Sequence, residues 1–112
     1  MPIALDCRYR PGGAQDRLPI RAAHLDYMIA NQGRVLHGGP SLVDGELVGM
    51  YLLLATDDPG QADDFLAGEP YARAELFAEV QRTLFTGYLP EPRRGFLAEL
   101  RRDASRCVAA AD

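Results

Sequence analysis

Two histidines, a Glu-Pro-Tyr segment and a pair of glycines are the residues of this 112-residue chain whose types and spacing could do chemistry. His24 falls in a stretch of helical spacing, at the border of an apolar stripe centred near Leu25 and Ile29. At 100° per residue, Arg21 and Met28 lie on its flank, three before and four after. A permanent cation beside an imidazole disfavours the imidazolium, which leaves a neutral ring with one nitrogen able to accept a proton near neutral pH. The plainer alternative is a border histidine that hydrogen-bonds a carboxylate and does nothing more. His37 precedes Gly38, Gly39 and Pro40 in a segment that reads as strand. The glycines leave space above a sheet, as a pocket floor would, and Pro40 limits pairing there; a simple edge kink gives the same pattern. Glu69-Pro70-Tyr71 follows Gly68, and a carboxylate at a helix start is stabilised by the local dipole, so a structural cap accounts for it.

Other candidates carry less. Two histidines without a clustered third ligand predict no metal site. Cys7 and Cys107 lack an activating constellation, and both read as buried small hydrophobes. The chain has no glycine-rich phosphate loop, no Gly-x-Ser-x-Gly elbow and no internal repeat. Asp57-Asp58 and Asp63-Asp64 read as a solvated face and a helix cap.

The elements that must position these residues follow from periodicity. Ile3, Leu5, Cys7 and Tyr9 alternate with Ala4, Asp6 and Arg8, which is a strand, and Pro11-Gly12-Gly13 breaks it. Pro19 suits a helix start. Ala22, Leu25, Ile29 and Gln32 recur at helical spacing, and Gly33 supplies a left-handed stop, so a helix is expected over about 18–32. Residues 35–42 read as a second strand, and Asp44-Gly45 is a hairpin signal because both central positions of a type I′ turn need positive φ. The third strand, 47–55, is apolar on both faces and needs cover on both. Asp58-Pro59-Gly60-Gln61 reads as N-cap, proline at the first position and capping-box partner. Ala62, Phe65 and Leu66 form the buried face of a short helix ending at Gly68, and 76–85 returns to strand. The order is βαββαβ, a ferredoxin-like α+β pattern with a four-stranded antiparallel sheet. Beyond Pro90 and Pro92, Leu97, Leu100, Ala104, Cys107 or Val108, and Ala111 form the stripe of a C-terminal amphipathic helix. The chain therefore divides into a domain at 1–88 and a helical extension at 89–112.

Composition sets outer limits. The chain is 47% hydrophobic and 25% charged, enough apolar material for one core. Its net charge of −4 argues against a sequence-independent grip on nucleic acid. No apolar run approaches the ~20 residues that cross a bilayer, and charge comes too early at the N-terminus for a signal peptide. The expectation is a soluble cytoplasmic domain with no nucleic-acid or membrane partner. A sheet with helices on one side leaves its other face bare, so a homodimer with two sheets packed face to face, a dimeric α+β barrel, is expected.

The order of motifs adds to this reading. Arg17-Leu18, then Arg21-x-x-His24-Leu25, then Gly33-Arg34-Val35-Leu36-x-Gly38-Gly39-Pro40, then Glu69-Pro70-Tyr71-x-x-Ala74 resembles the YciI-like (YCII-related) family over roughly residues 2–86. The resemblance implies a ferredoxin-like dimeric barrel and a histidine–acid site, with the histidine at His24 and the acid at Glu69. Arg21 and the Gly38-Gly39-Pro40 turn match family positions; with His37 and Tyr71 they make up the implied substrate-binding set. Two positions depart from the pattern. The family's acid is aspartate where this chain has the longer Glu69, which either orients the imidazole from farther back or swings to solvent. Glu75 stands where glycine is common, which would narrow or recharge the pocket mouth.

These readings imply a cofactor-free enzyme acting by general acid–base catalysis on a small polar organic molecule, by elimination, isomerisation or a lyase step. His24 would move the proton, Glu69 would fix its tautomer, and Arg21 would hold an anionic or enolate-like oxygen. The alternative is a non-catalytic small-molecule-binding or assembly module, with the C-terminal helix as its contact element.

Overall fold

A computed structural model describes residues 1–111, with side chains through residue 107. β1 (Ile3–Tyr9) leads through a short α1 (Gly13–Asp16) and a 3₁₀ turn to α2 (Arg21–Ala30). β2 (Val35–Val43) and β3 (Glu46–Leu54) form a hairpin, followed by α3 (Pro59–Gly68) and the one-turn α4 (Pro70–Arg73). β4 (Phe77–Leu84) completes the sheet, and α5 (Phe96–Ala111) follows it. The four strands lie in the order β2-β3-β1-β4 with every pairing antiparallel. This is the expected ferredoxin-like α+β fold with a C-terminal helix.

The alternation read in β1 sets the core. Ile3, Leu5 and Cys7 point to one side and pair with Leu54, Leu52 and Met50 of β3. Ala62, Phe65 and Leu66 of α3 pack on this double row, and all nine residues are buried. The hairpin forms as its sequence dictates: Asp44 and Gly45 have φ of 51° and 79°, the pair of positive values that a type I′ turn demands. Asp58 caps α3 through its carboxylate, which accepts from the Gly60 N–H at 2.9 Å. The return bond of a capping box is made by Thr56 rather than Gln61: the Asp58 N–H donates to the Thr56 hydroxyl at 3.1 Å.

Three expectations are corrected. α2 does not bury the stripe Ala22, Leu25, Ile29 and Gln32, all of which are exposed. The side turned inward carries His24, Tyr27 and Met28. Polar-tipped rings can replace aliphatic residues there because their tips are satisfied: the Tyr27 hydroxyl donates to the Phe65 carbonyl at 2.7 Å. Second, Gly33 is not a left-handed stop. It lies in a 3₁₀ turn with Arg34, while Asn31 closes the helix by donating its side-chain amide to the Tyr27 carbonyl at 2.8 Å. Third, Cys107 is exposed and only Cys7 is buried.

α5 stands away from this body. The radius of gyration is 17.9 Å and the long axis 58 Å, against about 13 Å for the radius of a compact chain of this length. Arg93 anchors the helix start through two bonds to Glu99 at 2.8 and 2.5 Å, and the Tyr88 and Phe96 rings meet edge to face. Leu97 and Leu100 are half-buried, whereas Ala104 is exposed; the stripe's outer members Val108 and Ala111 lie outside the described side chains.

One close approach positions α2 for its functional role. A Cβ on Gly68 would stand 2.9 Å from the Tyr27 ring and hydroxyl, and that ring is pinned by its bond to Phe65 and an edge contact with the Phe65 ring. Gly68→Ala is expected to push α2 off α3 and cost about 1–3 kcal/mol, read as a lower denaturation midpoint; an unchanged midpoint would show that α2 can shift freely.

Candidate functional site

α2 and α4 meet over the end of the core, and the meeting is made by one carboxylate. Glu69 is the N-cap of α4, with extended backbone, so its side chain turns back over the first turn. Its Oε1 accepts from the Tyr71 N–H at 3.1 Å and its Oε2 from the Ala72 N–H at 2.9 Å. The same Oε1 lies 2.5 Å from Nδ1 of His24, forty-five positions earlier in the chain. The Glu69 side chain is fully buried. Cap and imidazole partner, which the sequence offered as alternatives, are one arrangement. The extra methylene of glutamate is directed inward, and the swing to solvent does not occur.

The arrangement sets the histidine's proton. An ionised carboxylate only accepts hydrogen bonds, so Nδ1 carries the hydrogen shared with Glu69. In the neutral ring Nε2 is then the acceptor. The ring plane is fixed as well: His24 and Tyr71 stack with centroids 3.9 Å apart and planes within 4°. Tyr71 in turn meets Tyr9 edge to face at 6.2 Å, and Tyr9 stacks on Phe77 at 5.3 Å. An aromatic row thus runs from α2 across α4 to the sheet.

A cavity of about 610 Å³ opens beside this row, between α2 and the β2–β3 end of the sheet. His24, Arg21, His37, Gly38, Gly39, Pro40 and Tyr71, all singled out in the sequence, line it. Glu69 stands behind His24, outside the lining. Gly38 does provide floor: a Cβ there would come within 2.5 Å of Leu52, whereas one on Gly39 would meet nothing within 4 Å. Arg21 and His37 are exposed at the rim. Glu75 does not line the cavity, contrary to expectation. It follows α4 with φ 57°, the left-handed conformation that glycine adopts most readily, and its carbonyl accepts from Arg10 Nε at 3.1 Å. A glycine would fit this position for its backbone, not for the pocket.

Among the lining residues that sequence reasoning did not single out as site candidates are Tyr9 and Arg17. Tyr9 was legible as the last inward member of the β1 alternation. Burial, with Tyr71 adding, pushes its phenol up to about 12 against the pull of Arg17, so it remains a donor at neutral pH. Cys7, beneath the site, is likewise pushed up to about 12 by burial, and next by the Glu69 charge. It stays a thiol and is no nucleophile. Among the described residues no group of three metal-ligating side chains occurs, and no helix is long and apolar enough to cross a membrane.

The sequence profile of the YCII-related domain matches residues 1–86. The chain belongs to this family. Among solved structures, it is similar to the 5-chloro-2-hydroxyhydroquinone dehydrochlorinase of Burkholderia phenoliruptrix, determined in complex with 2,5-dihydroxybenzoquinone. The TM-score is 0.73 at 25% sequence identity, over 81% of this chain and 99% of that one. No curated protein sequence matches. The YCII-related match ends before α5, so this helix lies outside what the family profile describes.

Within this YCII-related chain, Glu69→Gln tests the coupling of α2 to α4. The amide keeps one acceptor oxygen and turns its NH₂ toward at least one of the three donors, and an unsatisfied buried group costs about 1–3 kcal/mol. A midpoint of denaturation lowered by that amount is expected. A variant as stable as the wild type would show that the carboxylate does not hold the two helices together.

Proposed function

We propose that this YCII-related protein is a small-molecule enzyme that uses His24 as a general base on a flat, oxygen-bearing ring. The observation that carries the reading is the 2.5 Å contact between His24 Nδ1 and the buried Glu69 carboxylate, which leaves Nε2 as the acceptor at a cavity wall. A base held in one tautomer and one ring orientation needs no rearrangement when the proton moves, and the carboxylate behind it stabilises the imidazolium that forms. Glu69 is therefore a positioning residue. The solved relative supports an elimination, since it is a dehydrochlorinase with 2,5-dihydroxybenzoquinone bound.

In such a step the ring reacts from its keto tautomer, in which the chlorine-bearing carbon has taken up a proton and is tetrahedral, and a proton then leaves a ring oxygen to Nε2. The released electron pair forms a new C=O bond, and chloride departs with the C–Cl pair. The sum is loss of HCl, balanced without an oxidant or reductant. Arg21 and the Gly38-Gly39-Pro40 turn, with His37 and Tyr71, would frame the ring. The working unit is a homodimer of the 1–88 domain, because the sheet face away from the helices carries the exposed Tyr51 and half-buried Leu53 on β3, which a second sheet would cover. Residues 89–112 then form an extension. The stripe of α5, in which Ala104 is exposed, favours a second role for it as a contact element.

The test is chloride release from 5-chloro-2-hydroxyhydroquinone. His24→Ala should retain its circular dichroism spectrum and lose activity by at least about 100-fold. Turnover preserved in that variant would remove His24 from the mechanism, and a wild-type protein inert toward chlorinated hydroxyquinols would remove the elimination.

A further inference from the structure

Arg17 is a charged wall residue whose chemistry the proposed step does not use. It sits at the junction of α1 and the following 3₁₀ turn, lines the same cavity as His24, and is only partly exposed. Its Nε is sealed from solvent and has no hydrogen-bond partner among the described residues. Three other arginines are compensated: Arg8 pairs with Asp6 at 3.0 Å, Arg10 with Asp16 at 3.0 Å, and Arg82 with Asp63 at 2.9 Å. Among the described residues no carboxylate pairs with Arg17. Buried polar atoms are satisfied in the great majority of cases, so an orphaned donor on a permanently charged group requires an explanation.

The surroundings supply one. Much of the cavity wall is apolar or aromatic, Met28, Leu52, Tyr9 and Tyr71 among it, so a ligand body that is flat and apolar fits there while leaving the guanidinium to be met by a ligand charge. A planar fork matches a delocalised oxyanion better than an ammonium would. Arg21, by contrast, is exposed at the rim, where water screens its charge.

We infer that Arg17, rather than Arg21, is the anion-recognition residue of the cavity, taking the ionised oxygen of a hydroxyquinone or enolate, with the Tyr9 hydroxyl as the adjoining donor. The inference rests on the proposed function only for the class of ring; the charge requirement stands on a cavity-lining guanidinium that has no carboxylate partner among the described residues. Because the ligand oxyanion is drawn to Arg17, the same contact fixes which edge of the ring faces His24.

Binding decides it independently of turnover. The probes are 2,5-dihydroxybenzoquinone, ionised near neutral pH, and its uncharged dimethyl ether, titrated calorimetrically into the full chain. Arg17→Gln should weaken the anionic probe by at least about tenfold, as expected for loss of charge-assisted hydrogen bonds, with the neutral probe changed less than about threefold. Arg17→Lys, which keeps the charge without the fork and guards against misfolding of the first variant, should give an intermediate loss. Arg21→Gln, a change at the exposed rim, should weaken the anionic probe less than Arg17→Gln does. The inference is overturned if Arg17→Gln binds the anion as wild type does, if both probes weaken equally, or if the wild type does not bind the anion at millimolar concentration. Arg17-dependent binding without chloride release would overturn the proposed elimination and leave this inference standing. His24-dependent chloride release with an indifferent Arg17 would do the reverse.

Discussion

A carboxylate taken out of water is tolerated only where donors replace the hydrogen bonds it gave up, and Glu69 meets this condition from two directions. Two donors are backbone N–H groups of its own helix start, local in sequence and available as soon as α4 forms. The third is an imidazole on α2 that only the folded chain brings near. Removing any of the three would leave a buried charge short of a partner, so the packing of α2 on α4 and the orientation of His24 are one constraint. Gly68, one residue before, serves the same constraint by letting the Tyr27 ring come close.

The chemistry follows from how the neighbourhood divides its charges. Glu69 accepts from two backbone N–H groups behind the imidazole, the cavity-lining Arg17 lacks a carboxylate partner among the described residues, and Tyr9 stays protonated between aromatic rings. Cys7, the nearest thiol, is kept neutral by burial and by the same carboxylate. A site so arranged favours proton transfer over covalent attack. Its apolar floor, with Leu52 under Gly38, suits a ring more than a chain.

Much of the fold was legible because its signals are local. The period-two run of β1, the Asp44-Gly45 turn and the Asp58 cap each act within a few residues. The burial of α2 was misread because periodicity locates an apolar stripe without saying what it faces, and the inward side was instead chosen by polar tips that find partners far along the chain. The Gly33 stop failed for a related reason: Asn31 closes the helix with its own side chain. Motif order pointed to His24 and Glu69, yet cap and imidazole partner could not be told apart until the distance between them was known. Arg17 stood in a quoted motif, but only a cavity shows that its guanidinium has no counterpart.

The central claim is that Glu69 holds His24 with its proton on Nδ1 and leaves Nε2 as the base. Long-range ¹H–¹⁵N correlation spectra of the imidazole rings test it directly, at about pH 8, where an ordinary histidine is neutral, with His37→Gln used to assign the two residues. The account predicts the Nδ1–H tautomer for His24, lost in Glu69→Gln. A His24 ring in the Nε2–H tautomer, or one averaging between the two, would contradict it.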